Sequence, residues 1–164
     1  TILDKRHTRE DVVAATEYVR SAGIAPRPTW VSFTPWTTVR DFQEVLEFVD
    51  ENGLIDHVDP VQYSVRLLIP PGSWLADHEA TLPHRGQLDE ASFTYRWTHP
   101  DPRMDQLQKD VAKLVEQDTQ AGDDAELTFF RVKELAFGGS PAAARCLLPA
   151  DRKRAPRMTE SWFC

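Results

Sequence analysis

Apolar residues recur along the first part of this chain in two rhythms, a helical one and then a strand-like one, and the succession occurs twice. Val12, Ala15, Thr16 and Val19 fall on one face of a helix that starts after Thr8 and stops at Gly23. The Thr8 hydroxyl can cap the first turn, Glu10 and Asp11 suit the positive end of the dipole, and Gly23 permits the left-handed turn that ends the helix. Past Pro26 and Pro28, residues 30–33 read as a short strand. The pattern then restarts: Thr38 with Asp41 three residues on, a stripe of Phe42, Val45, Leu46 and Val49, a stop at Gly53, and a second predicted strand over 61–69. The second copy trails the first by about 30 residues, the size of a strand-helix repeat, and two such units side by side predict a parallel sheet.

The run WVSFTPW, residues 30–36, organises the rest. A strand that breaks at Pro35 and opens into a helix start places side chains at the C-terminal rim of a parallel α/β sheet or barrel. In the second predicted strand, Val61, Tyr63, Val65, Leu67 and Ile69 would pack under the helices. Gln62, Ser64, Arg66 and Leu68 would face the other way, and polar residues there suggest a lumen that holds something polar. By the same alternation Trp30, Ser32 and Thr34 share a face.

Pro70, Pro71 and Gly72 close the strand, and residues 73–87 read as loop, with His78 and His84 inside it. Phe93, Tyr95 and Trp97 alternate as a half-exposed strand. Helices are predicted over 101–120, with a stripe of Met104, Leu107, Val111, Leu114 and Val115, and over 124–137, stopped by Gly138 and Gly139. The expected organisation is a barrel part over 1–75, an extension of loop and helices over 76–140, and a basic, Pro-punctuated tail over 141–164.

Composition narrows the function. The 164 residues fit one domain, whereas a full eight-stranded α/β barrel needs about 250, so any barrel reading makes this a fragment. A net charge of -7 argues against general nucleic-acid binding, which is driven by cations. No apolar run approaches the roughly 18–20 residues of a membrane span, and no leader is evident, so the expectation is a cytoplasmic protein. Two cysteines, Cys146 and Cys164, are too few for a disulfide scaffold or a fully ligated iron-sulfur cluster.

The segments LDKRHTREDV, RPTWVSFTPWTT and DHVDPVQYSVRLLIPPGS, with the close RMTESWFC, give the chain a resemblance to the C-terminal half of radical S-adenosylmethionine enzymes. More narrowly, it resembles the subgroup whose chains end in a Cys-Cys or Cys-selenocysteine pair followed by Ala-Glu-Pro. The resemblance implies the C-terminal portion of a partial (βα)6 TIM-like barrel followed by a helical extension. In such a barrel a 4Fe-4S cluster cleaves S-adenosylmethionine reductively, and a cobalamin-binding-like region precedes the barrel in this subgroup. The family's CxxxCxxC motif is absent, so no cluster ligand transfers and the segment alone should be inactive. The two strands would be the fifth and sixth of six, lacking the N-terminal half of the barrel as partner and therefore prone to aggregate. Thr34, Pro35 and Trp36 on the first, and Gln62, Ser64, Arg66 and Leu68 on the second, would line the adenosyl and substrate pocket. The sequence stops at the first residue of the terminal pair, which suggests a selenocysteine codon read as a stop. Cys164 would then be half of a redox or soft-metal pair.

Each of these residues also has a plainer reading. Arg66 would be neutralised by an acidic neighbour, Trp36 would be core, and His57 lies at the wrong end of its strand for catalysis. His78, His84 and the basic residues from Arg152 to Arg157 would be solvated, and Cys146 a small buried hydrophobe. Two other functions stand beside the radical enzyme: a non-enzymatic α/β interaction domain, and a metal-dependent α/β-barrel lyase or hydrolase using His57, His78 or His84.

Overall fold

Both threonines cap as their position predicts, and they do so identically. In a computed structural model, which describes residues 2, 5–149 and 151, the Asp11 N–H donates to the Thr8 hydroxyl (3.2 Å) and the Thr8 N–H donates back to the Asp11 carboxylate (2.7 Å). Asp41 and Thr38 repeat the arrangement at the same distances. Helices α1 (Arg9–Ser21) and α2 (Val39–Glu51) follow. They differ in what they bury. Phe42, Leu46, Phe48 and Val49 put α2 at the centre of the molecule, whereas no residue of α1 is fully buried.

The two parallel strands predicted at 30–33 and 61–69 do not form a ladder. They reduce to one parallel bridge, Phe33 to Arg66, in which the Phe33 N–H donates to the Val65 carbonyl (3.0 Å) and the Leu67 N–H to the Phe33 carbonyl (2.8 Å). Local chemistry accounts for the loss. Pro60 carries a φ suited to the first residue of a helical turn, so Pro60–Tyr63 coils into a 3-10 turn that the Ser64 hydroxyl closes on the Val61 carbonyl. On the first segment, Pro26 and Pro28 have no N–H to give to a ladder. The alternation survives only beyond the turn, where Leu67 and Ile69 are buried and Leu68 stands out into solvent.

The regular sheet lies further on. Strands β1 (Arg85–Asp89) and β2 (Thr94–Trp97) form an antiparallel hairpin, β2 where the aromatic alternation predicted it and β1 at the end of what read as loop. The hairpin docks on residues 66–69. The Tyr95 N–H donates to the Ile69 carbonyl (2.9 Å), the Ile69 N–H to the Thr94 hydroxyl (2.8 Å), and the Trp97 indole N–H to the Leu67 carbonyl (2.8 Å). As numbering rises from 67 to 69 the partner falls from 97 to 94, so the approach is antiparallel.

Helices α3 (Pro102–Ala121) and α4 (Ala125–Ala136) complete the fold as a helical hairpin, near their predicted bounds. Gly122 ends α3 in the left-handed conformation (φ 72°), where a side chain would be strained. Arg131 on α4 bridges back to Asp118 (2.7 Å) and Asp123 (2.5 Å), which neutralises the buried Asp118. The core is where α2, α3 and α4 meet the 3-10 turn: Phe42 against Phe33 (ring centroids 4.9 Å), Phe129 against Tyr63 (5.6 Å), with Met104, Val111 and Val132 between. Each such large apolar side chain contributes about 1.5–3 kcal/mol on burial. The class is therefore mixed α/β, mostly helical with one small sheet, and a TIM-like barrel is not among the described elements. Cys164 and the basic residues 152–157 lie outside the described residues.

Candidate functional site

The turn after the first extended segment forms, but it is closed on itself. Thr34 and Thr37 share a hydroxyl hydrogen bond (2.7 Å), the Trp36 N–H donates to the Thr34 hydroxyl (3.2 Å), and the Trp36 indole N–H reaches the Ala80 carbonyl (3.1 Å). Residues near 80, part of the stretch read as loop, thus lie against this turn. Pro35 and Thr34 are buried within this turn.

The residues predicted to face a polar lumen are spent on internal contacts. The Gln62 side-chain carbonyl accepts the Trp30 N–H (3.1 Å), and the Gln62 backbone carbonyl accepts the Ser32 hydroxyl (2.7 Å), so Gln62 joins the two segments. The Ser64 carbonyl accepts from Gln108 of α3 (3.2 Å). Arg66 donates to Asp105 at the start of α3 (2.8 Å) and to the Trp97 carbonyl (2.6 Å), with its guanidinium 3.5 Å from the Trp97 ring centroid. Its plainer reading, an arginine held by an acidic neighbour, describes the geometry. Arg66 and Leu68 do share a shallow cleft of about 260 Å³ with β2, but Thr34, Pro35 and Trp36 do not line it.

Trp30 departs from its predicted face as well. Its ring packs edge-on against Phe48 of α2 (5.9 Å), on the helix side. Among the histidines, His57 is half-buried with Nδ1 against the Pro26 carbonyl (3.1 Å), and the His78 ring packs at a tilt against Trp74 (4.3 Å) while accepting the Ala80 N–H. Among the described residues, no three His, Cys, Asp or Glu side chains come together as a metal site. Cys146 is exposed, not buried as its apolar neighbours suggested, because it follows the surface turn Pro141–Ala143.

The larger clefts are ones the sequence did not point to. They flank α1: about 360 Å³ between α1 and α2, floored by Val12, Trp30, Val45 and Phe48, and about 640 Å³ between α1 and residues 25–28. The signal was present in the apolar stripe of α1, which is wider than the helix buries.

Fold and clefts define a mixed α/β domain whose parallel element is a single bridged pair. No family model, curated protein or solved structure matches the chain. No described helix is long and apolar enough to cross a membrane.

Proposed function

We propose that this chain is the C-terminal wall of a radical S-adenosylmethionine barrel, the part that ends the run of parallel strands. The observation that carries the reading is the connectivity around α2. Two extended segments pair in parallel at Phe33 and Arg66 with a helix crossing between them, and a matching capped helix, α1, stands ahead of the first. An antiparallel hairpin bonded to residues 67–69 supports it, since an antiparallel neighbour is not a further strand of a parallel run.

The chain's own residues do not fit an iron-sulfur cluster: among the described residues Cys146 is a lone exposed thiol, and no ligand group surrounds it. The role of this segment is wall and rim, and cluster, S-adenosylmethionine and any cobalamin would be held by residues ahead of it. Of the residues assigned to the pocket, Leu68 remains the one offered to solvent. Reading the coding locus on both sides, then co-expressing the upstream part, tests this. A cysteine triad spaced CxxxCxxC in the same frame, and a complex that yields 5'-deoxyadenosine anaerobically under reduction, are the expected results. A frame without the triad overturns the reading.

A second reading, a non-enzymatic α/β interaction domain, is favoured by the internal engagement of Gln62, Ser64 and Arg66. It requires the chain to fold cooperatively and stay soluble by itself. The barrel wall, with its flanks around α1 open, should instead self-associate until the upstream part is supplied.

A further inference from the structure

The apolar side of α1 is only partly covered. Between α1 and α2 lies a cleft of about 360 Å³ whose floor is Val12, Trp30, Val45 and Phe48, and of these only Phe48 is fully buried. Glu44 of α2 lines it too. A second groove, of about 290 Å³, lies between α2 and α4 and is lined by Glu47, Phe130, Glu134, Phe137 and Leu147. Glu44 and Glu47 are three residues apart and so are neighbours on the α2 surface, which makes the two depressions share one acidic strip. Arg40 pairs with both Glu44 (3.0 Å) and Glu47 (3.2 Å), one cation against two carboxylates, and Glu134 makes no ion pair among the described residues.

The chain itself arrives at this strip. Leu147 lines the α2–α4 groove and Leu148 packs against the core, so residues 152–164 begin within a few residues of the groove. That segment, outside the described residues, carries its chemistry in the same order as the surface: Arg152, Lys153, Arg154 and Arg157 come first, Trp162 and Phe163 last. Four of its residues are basic and one, Glu160, is acidic, in a chain whose net charge is -7. The 15 residues from Leu147 to Trp162 reach about 50 Å when extended, against about 20 Å for the whole of α2. We propose that residues 152–164 dock on their own chain: the basic cluster crosses the strip of Glu47 and Glu44, and Trp162 and Phe163 fill the cleft between α1 and α2. The opposite charges set the direction of the segment, and the aromatic pair supplies the apolar area that completes the cover of Val12 and Val45. The larger cleft, between α1 and residues 25–28, stays open, and nothing here depends on the barrel reading.

The test is disulfide trapping in the full chain. Cys146→Ser removes the other thiol and leaves Cys164 next to the aromatic pair. His7→Cys places a partner thiol on the wall of the cleft, and Glu90→Cys, on the hairpin turn, gives the reference for a segment that is tethered but not docked. All three positions are exposed, so the fold tolerates their replacement. With oxidised glutathione as the oxidant, each link takes two electrons and two protons from the thiol pair and releases two glutathione thiols. The link to position 7 should form about tenfold or more faster than the link to position 90, and within one chain, as read by mass under non-reducing conditions. Trp162→Ala with Phe163→Ala should bring the two rates together, and so should Arg152→Glu with Lys153→Glu and Arg154→Glu. Equal rates at the two positions, links formed between chains, or a preference that survives loss of the aromatic pair, overturns the proposal.

Discussion

Replacing Arg66 by methionine separates a structural arginine from one held ready for a ligand. In the fold, its guanidinium makes a charge-assisted bond to Asp105 (2.8 Å), a second to the Trp97 carbonyl (2.6 Å), and lies over the Trp97 ring at 3.5 Å. Methionine keeps most of the stem but none of these. Asp105 retains the His99 N–H (3.0 Å), so its carboxylate is not stranded outright, but it loses the cation. Hydrogen bonds to charged groups contribute about 1.5–3 kcal/mol, and a half-exposed cation-ring contact about 0.5–1. With side chains 28% and 19% exposed, water screens part of the pair, and about 2–3 kcal/mol is the expected loss. Urea unfolding followed by tryptophan fluorescence measures it, and Arg66→Lys should recover less than half, because an ammonium cannot fork to two acceptors while stacking. A loss under about 0.5 kcal/mol, or full recovery by lysine, would refute the structural role and return Arg66 to the pocket.

Three further outcomes are expected. Thr38→Ala and Thr8→Ala remove equivalent caps at about 1 kcal/mol each, yet only Thr38→Ala should lower the global unfolding midpoint by that amount, because α2 is core and α1 is not; equal shifts in denaturant melts would contradict the ranking. Phe129→Ala, fully buried between Tyr63 and Phe130, should cost about 3–5 kcal/mol by the same melts, and a cost under about 1 kcal/mol would place the core elsewhere. The Asp101 carboxyl, which caps α3 and is held by the Arg103 side chain and N–H, should titrate at about 2 by NMR. Its lowered pKa makes its stabilisation present above about pH 4 and lost as pH falls towards 2, and Arg103→Leu should raise the midpoint.

What was legible in the sequence is what is decided within a few residues. The Thr8 and Thr38 caps, the stops of α3 and α4, and the aromatic alternation of β2 rest on side chains bonding their own backbone neighbours or on local period. Strand β1 escaped because its residues are mostly polar and exposed, so no alternation marks it. The second parallel strand was overextended because Tyr63, in phase with Leu67 and Ile69, is buried from a 3-10 turn and not from a strand, and burial alone does not distinguish the two. The fate of Arg66 was illegible for a different reason. Its partner Asp105 lies on another element, and nothing local distinguishes an arginine that will be paired across the fold from one left for a ligand.

The edges of the extended layer bear directly on the choice between barrel wall and scaffold. On one side the outer strand β1 carries Arg85 and Asp89, with Arg96 paired to Asp89 across the hairpin, a charged rim that discourages another strand. At the first segment Pro26 and Pro28 blunt the approach but leave residues 29–33 beyond them, with Val31 39% exposed. Residues 29–33 are thus a short flank on which an upstream strand would pair. Val31→Lys tests that flank without touching the core: as an exposed change it should move the stability of the isolated chain by less than about 0.5 kcal/mol. If an upstream strand pairs there, the same substitution should reduce recovery of the co-expressed complex, because a lysine would be buried at the junction. Unchanged recovery alongside unchanged stability would mean that residues 29–33 are a true edge, and would favour the scaffold over the wall.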